Sequence, residues 1–194
     1  PYNTTGGPSI TVTTGELDHL IIRNASGGGG AEVGAQTLTT DQSLTVYAAG
    51  YDAANNFLGD QSVNWTLTGS LDGSGSTASS YTFSPSVAPT AGTIVATSGG
   101  INDATGTITV NTGALHHLTV RDAAAGGGNE VTTRSLTTDQ SLTIYAAGYD
   151  ADNNYRQDEN ATWTSTLGLS GSGTSITFNP TVPASGTIRA TVSS

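Results

Sequence analysis

The chain has 194 residues, of which 35% are hydrophobic and 6% aromatic, which is enough apolar material for two modest cores. Its formal net charge is −10 at pH 7, and a chain this acidic repels the phosphate backbone, which excludes nucleic-acid binding. It contains no Cys and no Met, which excludes disulfides, thiol nucleophiles and zinc–thiolate sites. No segment approaches the ~20 apolar residues of a membrane-spanning helix.

The acidic, sulfur-free composition favours a mature extracellular or cell-surface protein, because no side chain is easily oxidised at sulfur. No signal peptide is recognisable at the start. The sequence opens at Pro1 without a Met, and we expect it to be a processed or excised piece of something longer.

Short runs in which apolar residues alternate with Thr or Ser predict many strands joined by turns, and no helices. The first such run holds Ile10 and Val12, and the next has Leu20 and Ile22 on its inward face. The glycine-rich segment at 27–30 has neither the Lys nor the GxGxxG spacing of a phosphate loop, so it predicts a flexible loop or bulge.

Residues 38–52 predict a central strand with Leu44, Val46 and Ala48 facing inward, followed by an Asx-rich turn at 52–56. The next strand carries Trp65. Strands around Phe83 and at 92–97 follow, and a last strand covers 107–110.

The chain repeats this order once more. Residues 136–150 match 38–52 with only Val46 changed, to Ile144, and the second tryptophan is Trp163. The run Ile10-Thr11-Val12-Thr13-Thr14-Gly15 recurs 98 residues later, starting at Ile108. No third copy of this run follows the second unit, and we expect the run to be a joint between units.

The motifs L-T-V-Y-A-A-G-Y-D, V-N-W-T and G-T-I-x-A-T resemble those of bacterial immunoglobulin-like (Big) repeats, the tandem modules of invasin- and intimin-type surface proteins. The resemblance covers nearly the whole chain in two copies. It implies an all-β fold with two tandem immunoglobulin-like β-sandwich domains, the second lacking its own last strand. The domains are expected at 15–112 and 113–194, and residues 1–14 are expected to form an orphan strand that completes a neighbouring unit.

A sandwich without its last strand exposes an open edge, which favours association. We expect the assembly strand to be Ile10, Thr11, Val12 and Thr13. The expected acceptor strand comprises Thr187, Ile188, Arg189, Ala190 and Thr191.

Three explanations stay open for a chain that begins with this run and lacks a third copy after the second unit. The chain is one period of a covalent array, or separate copies polymerise head to tail by donating residues 8–14, or the ends are arbitrary. The first two give one function, a non-catalytic structural repeat of an extracellular filament or surface-protein stalk.

Catalysis is not expected, because the histidines His19, His116 and His117 do not recur as a constellation in the two units. The alternative function is an adhesin or carbohydrate-binding module that contacts glycans or a host or neighbouring cell surface through Tyr51, Tyr149 and Tyr155.

No cofactor is expected apart from calcium, for which Asp150, Asp152 and Asn154 are candidate ligands because their oxygens alternate as in a calcium loop. The glycine and the bidentate glutamate of an EF-hand are absent, so an ordinary turn is the competing interpretation. Candidate N-glycosylation sites are Asn3, Asn24, Asn64 and Asn160.

Overall fold

The computed structural model describes residues 6–7 and 9–193. This part of the chain is all-β and contains no helix. The strands are β1 (His19–Arg23), β2 (Gln36–Thr39), β3 (Leu44–Tyr51), β4 (Phe57–Asp60), β5 (Val63–Leu67), β6 (Ser76–Ala78), β7 (Ser80–Phe83), β8 (Thr90–Gly92), β9 (Ile94–Ser98), β10 (Ile101–Ala104), β11 (Ile108–Asn111), β12 (His117–Arg121), β13 (Leu142–Tyr149), β14 (Tyr155–Asp158), β15 (Ala161–Ser165), β16 (Ser170–Gly173), β17 (Ser175–Phe178) and β18 (Ile188–Thr191).

The chain divides into two compact units. The first comprises Pro1–Leu38, Gln42–Pro85 and Thr90–Thr109. The second comprises Thr39–Asp41, Ser86–Pro89 and Val110–Ser194. Two short segments that precede Val110 in the sequence therefore belong to the second unit.

The two units pair their strands in the same register. In the first, β3 lies between β1 on one edge and β4 and β7 on the other, and β12, β13, β14 and β17 repeat this pattern. Ile22 is opposite Ala48, and Val120 is opposite Ala146. Both central strands carry an irregularity after a glycine, at Gly50 and at Gly148.

The tryptophan strands form the second layer of each unit. β5 lies between β9 and β6, and β15 lies between β18 and β16. Trp65 and Trp163 are fully buried. Each indole Nε1–H donates to a carbonyl of the adjacent edge, because a buried polar hydrogen needs a partner.

Two details differ from the pattern expected from the sequence. A short strand, β4 or β14, intervenes between the Asx turn and the tryptophan strand. In addition, Ala49 is as buried as Ala48, so the end of the central strand is covered on both faces.

β2, β11 and β8 form a separate three-stranded sheet, in the order β2, β11, β8. The Gln36 and Thr40 N–H groups donate to the carbonyls of Thr107 and Asn111, at 3.0 and 3.1 Å. Donors and acceptors advance together by four residues, so β2 and β11 run parallel. The segments of the second unit that correspond to β2 and β8, at 134–137 and 184–186, carry no strand pairing in the described structure.

Candidate functional site: an open groove in the second unit

An open groove of about 1070 Å³ runs along one side of the second unit. Its walls are the two segments that correspond to β2 and β8, and its floor includes Leu167 and Phe178. The lining residues are 133–138, 166–167 and 178–186.

The side chains under this groove are more exposed than their matches in the first unit. Phe83 and Ile94 are 1% and 0% exposed, whereas Phe178 and Ile188 are only half-buried. Leu38 is likewise buried and Leu136 half-buried. The core of the second unit is therefore incompletely covered on the groove side.

In the β2–β11–β8 sheet, the position that corresponds to this groove is occupied by β11. Ile108 and Val110 of this strand are both 0% exposed, while Thr109 and Asn111 between and after them face solvent. The strand thus contributes two apolar side chains to the interior and pairs with a strand on each side.

The residues expected to form the assembly strand have the sequence of β11 without its surroundings. Ile10 is 83% exposed and Val12 is 89% exposed, and Thr11 and Thr13 are exposed too. Two exposed β-branched apolar residues at alternate positions would share one face of an added strand.

Four of the five residues of the expected acceptor strand already pair within the chain. Ile188, Arg189, Ala190 and Thr191 form β18, which pairs with β15. The matching strand of the first unit, β9, is flanked by β5 and β10, and it does not pair with β11. The strand that pairs with β11 is β8, whereas β9, the next strand along the chain, pairs with β10. Thr187 is held by Thr166 through hydrogen bonds in both directions, of 2.9 and 3.1 Å.

Asp150, Asp152 and Asn154, the expected calcium ligands, form a hydrogen-bonded turn. Asp150 Oδ1 accepts from the N–H groups of Asp152 and Asn154 at 3.1 and 2.8 Å, and Oδ2 accepts from Gly113 N–H at 3.0 Å. These donors use the lone pairs that a cation needs. No group of three metal-binding side chains converges among residues 6–7 and 9–193.

The same turn in the first unit is built on Asp52. The Asn56 side-chain amide, followed by the N–H groups of Gly15 and Asn56, lowers the pKa of Asp52 to about 2. For Asp150, burial raises the pKa, but hydrogen bonds from Asn154, Gly113 and Thr40 outweigh it and leave the pKa at about 2. Both carboxylates are therefore charged acceptors over the physiological range.

A histidine and a turn tyrosine form the same ring stack in each of the two units. His19 stacks on Tyr51 and His117 on Tyr149, each with centroids 5.4 Å apart. Tyr149 and Tyr155 meet at an interplanar angle of 69°, so their rings do not form a flat platform for a sugar. Arg23 Nε–H donates to Tyr51 Oη at 2.9 Å, which engages the hydroxyl as well.

Three candidate glycosylation sites, Asn24, Asn64 and Asn160, have exposed side chains. Asn3 lies outside the described residues. No helix in the described part of the chain has the length and apolarity to cross a membrane.

The groove walls at 134–137 and 184–186 were not predicted from the sequence. The signal was present, because residues 136–139 repeat 38–41 letter for letter. What the repeat could not reveal is which strand edge those residues form, since alternation gives the faces of a strand and not its neighbours.

Comparison of the chain with protein-family models, curated proteins and solved structures gives no match. The class that fold and site define is thus an all-β protein of two repeated, layered units, the second with an open groove. The resemblance to bacterial immunoglobulin-like repeats stays an expectation from the sequence.

Proposed function

We propose that this chain is a non-catalytic structural repeat of an extracellular filament or surface stalk, assembled head to tail. In this assembly residues 10–13 of one copy enter the groove of the next and complete it as the last strand of an immunoglobulin-like domain. One observation carries the proposal: the segment Ile108-Thr109-Val110 fills this position in one sheet, and the same three residues are exposed at Ile10, Thr11 and Val12.

The pairing of β11 with β2 and β8 indicates how a donated strand would fit the groove. A donated strand that takes its place runs parallel to residues 134–137 and pairs with residues 184–186 on its other side. Ile10 and Val12 then point to the floor at Phe178, and Thr11 and Thr13 point to solvent. The acceptor is thereby revised from 187–191 to the two groove walls.

Burial of Ile10 and Val12 in the groove contributes a favourable free energy to the association. Ile10 and Val12 are almost fully exposed, and complete burial of such a side chain stabilises by about 1.5–3 kcal/mol. The pair thus contributes up to about 3–6 kcal/mol, before the added cover of Phe178 and Ile188 and the new backbone hydrogen bonds. The cost of association is of similar or larger size, so assembly depends on concentration or on covalent continuity.

Two sources can supply the strand, a second copy of this chain or the continuation of a covalent array. The groove chemistry is the same for both, and so is the structural function. A contact between unlike surfaces that does not close on itself gives a fibre.

The test compares the wild-type chain with I10D/V12D by sedimentation and electron microscopy over a range of concentrations. We expect the wild type to form fibres, or a series of oligomers that differ by one copy, and I10D/V12D to stay monomeric. The matched control is T11D/T13D, which adds the same two charges to the opposite face and should still assemble. Equal assembly of wild type and I10D/V12D would contradict the proposal.

The covalent source is distinguished by a peptide of residues 9–14. In a 194-residue chain with no assembly of its own, peptide binding to the groove supports the array, in which the strand comes from the same polypeptide. In chains that assemble, the peptide should shorten the fibres by occupying grooves.

A further inference from the structure

The Asp-turn of the chain occurs twice, and its two copies differ in what covers them. In each, an aspartate accepts hydrogen bonds from the glycine that follows the repeated I-T-V run. Asp52 Oδ2 accepts from Gly15 N–H at 2.9 Å, and Asp150 Oδ2 accepts from Gly113 N–H at 3.0 Å. Gly113 is buried, whereas Gly15 is exposed.

The cover over Asp150 comes from residues 39–41 of the second unit. Thr40 Oγ1–H donates to Asp150 Oδ2 at 2.8 Å, and Ala114 N–H donates to Asp41 Oδ2 at 2.6 Å. A methyl group added to Gly113 would lie 2.6 Å from the Asp41 carboxylate, so the two chain segments are in close contact.

A second covering segment is residues 86–89 of the same unit. Asn154 Nδ2–H donates to the Ser86 carbonyl at 3.0 Å, and Ala88 N–H donates to Asn154 Oδ1 at 3.1 Å. Asn154 is half-buried as a result, while the matching Asn56 is exposed.

The residues that could cover Asp52 in the same way lie at the rim of the groove. Thr138 and Asp139 follow Leu136-Thr137 as Thr40 and Asp41 follow Leu38-Thr39, and both are exposed. They have the hydroxyl donor and the carboxylate acceptor of the cover seen over Asp150.

We infer that Thr138 and Asp139 of one copy bind the Asp52 turn of the next copy, as a second contact beside the donated strand. Thr138 Oγ1–H donates to Asp52, and Asp139 accepts from the N–H of Glu16. The inference rests on the proposed function, and it identifies the partner of this surface as a second copy of the chain.

The chain spacing agrees with this contact. One residue separates Asn111, the end of β11, from Gly113, and one separates Thr13 from Gly15. The Thr40 N–H also donates to the Asn111 carbonyl at 3.1 Å, which connects the cover to the end of the strand. A donated strand seated like β11 therefore brings Gly15 to the rim that carries Thr138.

The proposed contact between copies carries more acidic residues than the contact over Asp150 on which it is based. Glu16 and Asp18 stand where the second unit has Ala114 and His116. Because like charges then face Asp139, we expect added salt to tighten the contact between copies by screening their repulsion.

The experiment measures the concentration at which assembled 194-residue chains dissociate, for wild type and T138V/D139A. The variant keeps Ile10, Val12 and the groove walls at 134–137 and 184–186, so it should still assemble, but with a dissociation concentration roughly tenfold or more higher, because a charge-assisted hydrogen bond is lost on each side. The control T162V removes an exposed hydroxyl on β15 and should leave dissociation unchanged.

A variant on the Asp52 side of the proposed contact tests the same inference independently. In the single chain the methyl group of G15A meets only the Asp52 side chain, whose Cβ lies 3.3 Å away and must shift slightly. In the assembly the methyl group would also meet Asp139. We expect G15A to weaken assembly, and to do so less in the D139A background. Wild-type dissociation for both T138V/D139A and G15A, or a wild type that binds the peptide of residues 9–14 but does not assemble, would overturn this inference alone. A wild type that neither assembles nor binds the peptide would overturn it together with the proposed function.

Discussion

Phe83 and Phe178 occupy the same position in the two units, opposite Leu44 and Leu142 respectively, and only one of them is sealed from solvent. Phe83 is 1% exposed, and Phe178 is half-buried beside the groove. Since the strand pairing around them is equal, the difference reports the missing cover. The two residues therefore provide a direct comparison of a covered and an uncovered core.

We expect F83A to destabilise its unit by about 3–5 kcal/mol, as removal of a fully buried phenylalanine does. F178A should cost clearly less in the unassembled chain, because part of its ring already contacts water. Urea unfolding followed by tryptophan fluorescence measures both, and W65F or W163F backgrounds assign each transition to its unit. Equal losses would mean that the groove is closed in solution.

A peptide with the sequence of residues 9–14 should stabilise the second unit and leave the first unchanged. At a peptide concentration 100 times its dissociation constant, the expected gain is about 2.7 kcal/mol. The measurement is the urea midpoint of the Trp163 transition in an I10D/V12D chain, which keeps its groove free. A peptide with Asp at the positions of Ile10 and Val12 is the control, and stabilisation by this control would contradict the apolar fit.

The Asp turns predict acid sensitivity below pH 4. Asp52 and Asp150 have pKa values of about 2 in the folded chain, below the ordinary 3.8. A lowered folded pKa gives stability that is fully present above the unfolded pKa and is lost as the pH falls from about 4 through about 2.

The readout is the urea midpoint of each unit between pH 5 and pH 2, in wild type, D52N and D150N. Each variant should lose the part of the pH dependence that belongs to its own unit, while the other unit titrates as before. A wild-type midpoint that stays constant from pH 4 to pH 2 would show that neither turn carries this linkage.

The glycine loops should tolerate little substitution where they cover an aromatic ring. Gly126 has φ +67°, and an added methyl group would lie 2.7 Å from the Tyr155 ring. We expect G126A to destabilise the second unit by about 2–4 kcal/mol, from left-handed backbone strain together with the clash. G168A is the control, because its φ is +83° but no atom lies within 4 Å, so it should cost about 1–2 kcal/mol. Similar midpoints for the two variants would argue against packing of the loop on Tyr155.

Much of the fold follows from the sequence because alternation and repetition are local signals. The inward faces of Leu20, Ile22, Val46 and Ala48 were predicted and are buried or nearly so. The Asx turn at 52–56 was also predicted, since Asp52 can accept from the N–H groups that follow it.

What the sequence could not give is the neighbour of each strand and the packing of each loop. Gly28, in a segment predicted to be a flexible loop, lies against the ring of Phe57. The neighbours of β11 were not predicted for the same reason, because edge pairing depends on contacts distant in the sequence. Composition and alternation do not encode those contacts.

The proposed head-to-tail assembly would have a direction of growth. A file of such copies always has an unfilled groove at one end and an unused strand at the other, so its two ends are chemically different. Addition at one end requires an incoming strand, and addition at the other requires an incoming groove, so the two ends can elongate at different rates. A single copy with polar residues in place of Ile10 and Val12 would still accept a neighbour but could not extend beyond itself. Such a copy would fix the position of one terminus, and its proportion in a mixture would set the mean length.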